Sequence, residues 1–481
     1  MNIIKKVLLK RIESNCDFII DMPKHYTYGE IIQSSLYCAN NQIGSYSGNV
    51  LILSHSNAFW CVAFFACVLN GNVSFTLSDS LSDFEIIHYI HKTDVKLVLY
   101  EPAYDERILK LKNLCHINFK EINLNLAERK VSTFSNDNKT ICYHITSGSS
   151  GYEKMVVRYD MDMYDEGIAV AKTLELQQED ILYITSPIFH SFGSGLFIAS
   201  LLSCSKIILS AELDFQNIEN VCRNKISIIS GVPYFYKLLC KCKTDINLST
   251  LRYAISGGDF LDESLYTMFR DRFGKSIIQE YGLSEAGIVC MNTGANSFSK
   301  SVGLPISGYK VKVVDDNMKE LPKMKVGNIV ISRKSLPKEY KNISKEKQST
   351  FLSSQSVMSG DFGYIDKEGK VYLIARKKMM INIAGNKIAP REVEERLLSI
   401  SGILEAYVFG ISDKVCGENI AAVIASDKFE DEDICNLKKI ISDKYGARYV
   451  PKIIKVVKKL CKNANGKNDK KRIESLINHS L

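Results

Sequence analysis

The sequence lacks any apolar run long enough to cross a bilayer. The longest covers residues 58–69, which is short of the roughly 20 residues that a membrane-spanning helix needs. This run therefore predicts a buried core helix, and we expect no membrane span. The first residues, MNIIKK, also lack the apolar segment and the small-residue cleavage site of a secretion signal. We therefore expect a cytoplasmic protein.

The sequence also lacks paired cysteine motifs. It contains 14 Cys but no Cys-x-x-Cys, and the one close pair is Cys240 with Cys242. Scattered cysteines in a chain without a secretion signal are typical of reduced, mostly buried thiols. The spacing therefore indicates no zinc site.

A strong overall charge is missing as well. The net charge of +8 is modest for 481 residues, so it does not indicate a nucleic-acid partner. The excess has a local source, because residues 451–472 contain nine Lys or Arg and one acidic residue, Asp469. Such a run is either a solvated face or a surface that attracts phosphate-bearing ligands or an acidic partner protein.

The first 300 residues alternate short β-rich runs with helical stretches. A chain of 481 residues predicts two to four folding units, and this alternation predicts parallel α/β layers. A helix is expected from Ala58 onward. The predicted strands are residues 50–53, 95–100, 181–184, 206–209, 226–229 and 251–255.

Beyond residue 300 the pattern changes to short strands separated by turns, at residues 311–315, 328–331 and 370–374. The polar stretch 334–354 is expected to be a surface insertion or a mobile loop. A boundary falls near residue 375, and a helix is expected from Pro390, a favourable first-turn residue. We therefore predict an α/β protein. Residues 1–375 would form a large domain of layered α/β subdomains plus a β-rich subdomain, and residues 376–481 a small mobile C-terminal α+β domain.

A glycine- and serine-rich loop follows the apolar run 141–145. Residues 146–154 read TSGSSGYEK. Glycines let the backbone approach an anion, backbone N–H groups can form a phosphate nest, and Lys154 supplies a counter-charge. The Gly-Lys-Ser/Thr ending of a Walker A loop is missing. A flexible connector has a similar composition, so this loop needs support from other motifs.

That support comes from six later stretches, which stand in the order found in one family. With the loop, they resemble the motifs of the adenylate-forming superfamily, which includes acyl-CoA synthetases, aryl-acid ligases, luciferases and peptide-synthetase adenylation domains. The opening YTYGE at residues 26–30 is similar too. The stretches are PIFHSFG (187–193), SGGD (256–259), QEYGLSE (279–285), SGD (359–361), ARKK (375–378) and NGKNDK (465–470).

The resemblance implies ATP and Mg²⁺ as cofactors and a role for each matched residue. Glu285 would hold Mg²⁺, Lys467 would be the catalytic lysine and Lys378 the hinge of the small domain. His190 would be a further catalytic candidate at the acid pocket, which the resemblance implies to include His190, Phe192, Val232, Pro233 and Tyr234. The implied nucleotide contacts are Thr146, Ser147, Gly148, Ser149, Ser150, Gly151, Lys154, Gly257, Gly258, Asp259, Tyr281, Gly282, Ser284, Asp361 and Arg376.

The implied reaction joins a carboxylic acid to ATP as an acyl-adenylate, with release of pyrophosphate. The acyl group then passes to a thiol, which is either coenzyme A or the phosphopantetheine of an acyl carrier protein. His190 stands where amino-acid-activating relatives usually have Asp, which favours an acid without an α-ammonium group. An amino-acid adenylation enzyme remains an alternative.

Three residues depart from the family pattern. Glu153 replaces the usual Pro of the phosphate loop, Met155 the usual Gly, and Ala375 the Gly before Arg376. Glu153 would place a negative charge near the triphosphate. These departures leave open a degenerate nucleotide-binding protein without turnover.

Overall fold

The structure is a computed structural model, and it divides into two compact units. The first comprises Met1–Val311 and Val330–Ser359, and the second Lys312–Ile329 and Gly360–Leu481. The boundary predicted between residues 375 and 376 lies within the second unit and stays a prediction. The structure describes residues 2–21, 24–77, 81–125, 127–128, 130, 139–146, 154–209, 218, 225–243, 246–294, 297–341, 343, 348–376, 379–383, 386–413, 416–462 and 468–478.

The helices and strands of the first unit alternate as expected for α/β layers. The described helices are α1 (Ile3–Leu9), α2 (Tyr28–Tyr37), α3 (Ala58–Asn70), α4 (Asp83–Lys92), α5 (Asp105–Leu114), α6 (Asp160–Thr173), α7 (Ser191–Ser203), α8 (Pro233–Lys241) and α9 (Glu263–Phe273). The strands are β1 (Asp17–Asp21), β2 (Lys24–Thr27), β3 (Asn49–Leu53), β4 (Val73–Thr76), β5 (Leu97–Tyr100), β6 (Asn118–Glu121), β7 (Thr140–Thr146), β8 (Lys154–Tyr159), β9 (Ile181–Ile184), β10 (Lys206–Leu209), β11 (Ile228–Gly231), β12 (Tyr253–Ser256), β13 (Ile277–Leu283), β14 (Gly287–Met291) and β15 (Ser301–Pro305).

Two sheets organise this unit. A 6-stranded sheet has the order β6-β5-β3-β4-β7-β8 and is parallel except for the β7–β8 hairpin. A second sheet runs β15-β14-β13-β12-β11-β9-β10-β1-β2, with a parallel centre from β13 to β1. The predicted strands and the helix at Ala58 are confirmed. The predicted parallel α/β layers are therefore confirmed too.

Local sequence explains where two of these helices begin and end. Thr27 accepts a hydrogen bond from the backbone of Glu30, and the Glu30 carboxylate accepts one in return, so a capping box starts α2. Asn57 caps α3, and that helix ends at Gly71, whose φ of 78° is left-handed. Helix α3 is buried nearly all round, as expected for an apolar core helix.

The remaining strands are β16 (Lys310–Val314), β17 (Gly327–Ser332), β18 (Phe351–Ser353) and β19 (Ser356–Ile365). The chain passes from one unit to the other within β16, β17 and β19, whereas β18 lies in the first unit. In the second unit, β20 (Val371–Arg376) pairs antiparallel with β19. A 5-stranded sheet follows, built from β21 (Ile381–Ile383), β22 (Asn386–Ile388), β23 (Ile403–Asp413), β24 (Gly417–Ser426) and β25 (Ile453–Val457). Helices α10 (Pro390–Leu398), α11 (Ile434–Tyr445) and α12 (Lys470–Asn478) accompany it. This α+β composition and the helix at Pro390 were predicted.

The polar stretch 334–354 is not the plain surface insertion that its composition predicts. Leu336 and Tyr340 are 1% and 2% exposed, and Phe351–Ser353 forms a strand. The prediction was wrong for Leu336 and Tyr340, which are buried. Tyr340 is buried because it pairs with Val156 and packs against the Phe351 ring.

Within the part of the chain that the structure describes, no helix combines the length and apolar character needed to span a membrane. The described cysteines are free thiols, and most of them are buried.

Candidate active site

The phosphate loop joins the two strands of an antiparallel hairpin. Thr146, the last residue of β7, stands opposite Lys154, the first residue of β8. The Thr146 hydroxyl lies 3.5 Å from the Lys154 carbonyl oxygen. The two ends of the loop are therefore held side by side. Other predicted site residues lie outside the described part of the chain, namely Ser147, Gly148, Ser149, Ser150, Gly151, Lys378 and Lys467.

Lys154 and Glu285 contact the same side chain, that of Tyr340. The Tyr340 hydroxyl lies 2.6 Å from Glu285 Oε1 and 3.4 Å from Lys154 Nζ. The Lys154 ammonium also lies 4.5 Å from the centre of the Tyr340 ring. The structure thus brings together the charged residues of two motifs that are more than 100 residues apart in sequence. The polar composition around Tyr340 gave no signal for this contact.

The glycine turn after β12 is packed against the predicted acid-pocket motif. A Cβ added at Gly257 would lie 3.2 Å from the Phe192 ring and 2.2 Å from Glu280 Oε2. Only glycine therefore fits without moving a neighbour. Gly258 has a φ of 75°, and the exposed Asp259 accepts a hydrogen bond from the backbone of Phe260 at 2.8 Å.

Glu280 is a buried acid that motif comparison did not single out. Its side chain is 6% exposed, and its Oε1 would lie 2.5 Å from a Cβ at Gly282. The carboxylate therefore fills space beside both Gly257 and Gly282. Its neighbour Tyr281 is also buried at 6% exposure, whereas Ser284 and Glu285 are partly exposed.

The turn at residues 284–286, which contains Glu285, is held in place by buried polar groups. The Ala286 carbonyl accepts a hydrogen bond from Tyr309 at 2.6 Å, and Arg333 donates to Tyr309 at 2.6 Å. The Ile288 N–H donates to Glu166 Oε1 at 2.9 Å. Because Ala286, at the end of this turn, and Ile288, on β14, are both held, the position of Glu285 is defined by the fold.

Glu166 belongs to a buried ion cluster on β8 and α6. Arg158, which is 0% exposed, donates to Asp162 at 2.7 Å and to Glu166 at 2.5 Å. Burial by itself would lower the pKa of the Arg158 guanidinium, but the two carboxylates raise it, so this side chain is charged. A buried arginine with two carboxylates is fully paired, as a buried charge must be.

His190 occupies the residue before α7 and caps the helix through its backbone. Its carbonyl accepts from the Ser194 N–H at 2.8 Å, and its ring lies 5.0 Å from the Phe189 ring. His190 is also close enough to the buried His144 to disfavour a charge there, so burial, Arg158 and His190 together hold the pKa of His144 well below its usual value.

The other pocket candidates lie at the carboxyl end of β11. Val232 precedes α8, and Pro233 is a first-turn residue of that helix. Val232, Pro233 and Tyr234 are partly exposed. The Thr185 hydroxyl donates to the Ser230 carbonyl at 2.8 Å and would clash with a Cβ at Gly231. The predicted pocket segment therefore consists of the tightly packed carboxyl end of β11 and the partly exposed first turn of α8.

In the second unit, the two predicted ribose contacts are cross-strand partners. Asp361 on β19 pairs with Arg376 on β20. The Arg376 Nε lies 3.1 Å from Asp361 Oδ1, with Arg376 57% exposed and Asp361 8% exposed at the side chain. The buried carboxylate is thus held beside a guanidinium that reaches solvent.

The oxygen atoms at Glu285 fit a magnesium ion. Mg²⁺ prefers carboxylate and other oxygen ligands, and proteins commonly supply only one or two carboxylates and leave the other positions to phosphate and water. The described residues contain no group of three His, Cys, Asp or Glu side chains that could hold a metal by itself. Glu285, with its partly exposed carboxylate, agrees with a metal site completed by a phosphate ligand.

Comparison with known proteins agrees with this geometry. The family of AMP-binding enzymes matches residues 12–341, and the C-terminal domain of AMP-binding enzymes matches residues 392–467. The acetyl-coenzyme A synthetase of Bacillus subtilis is 26% identical over 434 residues, which is 82% of this chain and 75% of the relative. The 4-coumarate–CoA ligase 3 of Arabidopsis thaliana is 25% identical over 463 residues, or 87% and 81% of the two chains.

Solved structures show the same fold. ATP-bound MatB from Rhodopseudomonas palustris superposes with a TM-score of 0.88 at 20% identity, covering 100% of both chains. The anthranilate CoA ligase AuaEII in complex with anthranoyl-AMP gives a TM-score of 0.87 at 20% identity, covering 100% of this chain and 98% of the other. The predicted superfamily and fold class are confirmed. The chain belongs to the family of AMP-binding enzymes, within the adenylate-forming superfamily.

Proposed function

We propose that this enzyme is an ATP-dependent ligase that activates a carboxylic acid as an acyl-adenylate and then transfers the acyl group to a thiol. The observation that carries the proposal is the meeting of Lys154, from the phosphate loop, with Glu285, from the second nucleotide motif, at Tyr340. The family match and the acyl-CoA synthetase and CoA ligase relatives support it.

The main obstacle to the first step is charge, because a carboxylate anion must approach a polyanion. Lys154 and Lys467 would offset that charge, and the backbone N–H groups of the phosphate loop would bind the phosphates. Mg²⁺ held by Glu285 would supply electrostatic stabilisation of the phosphate oxygens. Lys467 would act by position and charge, between the acid and the nucleotide, and not as a base.

The remaining nucleotide contacts follow the family motifs. Tyr281 would pack against the adenine, with the glycine turn 257–258 beside it. Ser284 would contact phosphate, and Asp361 would bind the ribose hydroxyls with Arg376 next to it. The ion pair between Asp361 and Arg376 supports these two roles, since it fixes the orientation of the carboxylate.

The acid is proposed to lack an α-ammonium group. Phe192, Val232 and Pro233 offer apolar contact, and His190 stands where amino-acid-activating relatives usually have Asp. The buried Glu280 beside Gly257 supports the alternative of an amino-acid substrate, because a carboxylate would attract an ammonium group. A panel of acids that includes amino acids separates an amino-acid substrate from an acid without an α-ammonium group.

Coenzyme A is the proposed acceptor, since relatives of this chain are named CoA ligases. An acyl carrier protein is the alternative acceptor, because the basic stretch 451–472 suits an acidic partner as well as a phosphorylated cofactor. Lys378 would be the hinge about which the small domain turns before thiol attack. The cytoplasm remains the predicted location, which cell fractionation would check.

Two of the departures from the family pattern are accommodated by ordinary packing. Met155 is 0% exposed and belongs to the core beside β8, and Ala375 pairs with Phe362 across β19 and β20. The fold therefore accepts both residues without a packing defect, and the acyl-AMP assay decides between a working enzyme and a degenerate nucleotide-binding protein.

The direct test is a mass-spectrometric search for acyl-AMP. Purified protein would be mixed with ATP, Mg²⁺ and a panel of aliphatic, aromatic and amino acids, with pyrophosphate release measured in parallel. Coenzyme A and a phosphopantetheinylated carrier protein would be added in separate second reactions. We expect an acyl-AMP from an acid without an α-amine, and an acyl-CoA in the second reaction. Tight ATP binding without any acyl-AMP across the panel would instead support the degenerate protein.

A further inference from the structure

Tyr340 contacts both Lys154 and Glu285 but lies in none of the sequence motifs that resemble the family. We propose that Tyr340 is a positioning residue, whose hydroxyl orients the Glu285 carboxylate for the metal and whose ring holds the Lys154 ammonium for phosphate. The inference rests on the proposed function for the identity of the ligands. Tyr340 would hold the Glu285 carboxylate and the Lys154 ammonium in place before any nucleotide binds.

The backbone of Tyr340 is attached to the strand that leaves the phosphate loop. Val156 and Tyr340 form an antiparallel bridge. The Val157 N–H donates to the Glu339 carbonyl at 3.1 Å, and the Lys341 N–H donates to the Met155 carbonyl at 2.8 Å. Residues 339–341 therefore pair with the edge of β8 through an isolated β-bridge, and the position of Tyr340 is set by the same strand that carries Lys154.

The same backbone is fixed on its other side by Gln348. The Tyr340 N–H donates to Gln348 Oε1 at 3.1 Å, and Gln348 Nε2 donates to the Tyr340 carbonyl at 3.2 Å. The ring packs edge-on against Phe351, with 4.9 Å between the ring centres. With 2% of its surface exposed, Tyr340 has little freedom to adopt another rotamer.

The hydroxyl connects this rigid segment to Glu285. A phenol carries one proton and a carboxylate can only accept, so Tyr340 donates to Glu285 Oε1 at 2.6 Å. Thr350 Oγ1, at 3.1 Å from the same hydroxyl, is then free to donate to the phenol oxygen. One oxygen of Glu285 is thereby fixed, which leaves Oε2 available for a metal ion.

The ring of Tyr340 holds the second charge. Lys154 Nζ lies 4.5 Å from the ring centre, within the range of a cation–π interaction. A lysine side chain is flexible, and holding its ammonium in place reduces the entropy that is lost when phosphate binds. One side chain therefore arranges an anion for the metal and a cation for the phosphate.

The test is Tyr340→Phe, which removes the hydroxyl and keeps the ring over Lys154. Groups that orient a metal ligand typically change metal affinity by about 10- to 100-fold. We expect a loss of that size in Mn²⁺ affinity, measured by electron paramagnetic resonance in the presence of α,β-methylene-ATP. The Mg²⁺ concentration for half-maximal pyrophosphate release should rise by a similar factor.

The matched control is Tyr159→Phe. The Tyr159 hydroxyl donates to Glu339 Oε1 at 2.8 Å, so this variant also removes a hydrogen bond to the 339–341 segment but leaves Glu285 untouched. It should keep the wild-type Mn²⁺ affinity. Wild-type or tighter binding in Tyr340→Phe, or an equal loss in Tyr159→Phe, would overturn the inference. Because Mn²⁺ binding is measured without turnover, failure of the wild type to form any acyl-AMP would count against the proposed function alone.

Discussion

His144, at the residue scale, is a buried histidine beside the cationic Arg158. It lies on β7 with 2% of its surface exposed, and Arg158 Nη1 lies 3.2 Å from its Nδ1. An arginine can only donate, so Nδ1 is the acceptor and the imidazole is neutral. Burial, Arg158 and His190 lower the pKa of His144, so the native state resists its protonation.

This neutral histidine makes stability depend on pH. The pKa of His144 is lower in the folded than in the unfolded chain, so its contribution is present above about pH 6.5 and is lost as the pH falls below that value, by up to about 1.4 kcal/mol per pH unit. Urea midpoints between pH 7.5 and 5.5 should fall more steeply for the wild type than for His144→Gln. The exposed His25 supplies the control, and His25→Gln should keep the wild-type slope. Equal slopes in all three proteins would contradict the prediction.

Single residues show which contacts a sequence can and cannot predict. Motif order identified Lys154 and Glu285, because glycine-rich and acidic motifs have a recognisable spacing. Tyr340 was missed because a tyrosine among Lys and Ser residues has no local pattern of its own. Its burial depends on backbone pairing with β8, which is a contact across more than 180 residues of sequence.

At the scale of an element, the cluster of Arg158, Asp162 and Glu166 shows that packing decides whether a set of regularly spaced charges is buried. Charged residues spaced by four usually indicate the solvated face of a helix. Here Arg158 lies on β8 while Asp162 and Glu166 lie on α6, and all three are at most 1% exposed. Spacing identifies the face that the side chains share, but only the packing of α6 against α7 and β14 decides that this face is buried.

Arg158→Met should be strongly destabilising. The substitution would leave two buried carboxylates without their cation, which typically costs about 3–5 kcal/mol. The control is Lys312→Met, because Lys312 pairs with Glu320 on the surface, with side chains 52% and 58% exposed. That change should cost less than about 1 kcal/mol. Chemical unfolding of both variants measures the loss in the free energy of unfolding. Similar losses in the two variants would show that the buried cluster contributes no more to stability than a surface ion pair.

Strands and helices were predicted well where the sequence is apolar. β3, β9 and β10 are short apolar runs, and each lies within a residue of its predicted position. The order of strands in the sheets was not predictable in the same way, since β3 lies between β5 and β4, and adjacency of this kind depends on contacts between distant segments.

At the scale of the whole molecule, the proposed reaction has two steps that depend on different residues. Lys467 would serve adenylate formation, and Lys378 would serve thiol transfer. Lys467→Ala should reduce acyl-AMP formation by a large factor, because the counter-charge for the first step is lost, while thiol transfer from a supplied acyl-adenylate should persist. Lys378→Pro should do the reverse, since a fixed φ restrains the proposed hinge. Separate assays of the two half-reactions measure both effects. Equal loss of both steps in either variant would contradict the assigned role.

The pairing of residues 339–341 with β8 also has a consequence for solubility. β8 is the last strand in the order of the 6-stranded sheet, and the outer backbone groups of Met155 and Val157 are bonded to this segment. An exposed sheet edge is a template on which other chains can pair. The polar stretch that looks dispensable in sequence therefore shields an edge, and shortening it would be expected to cause self-association of the enzyme before any loss of its fold.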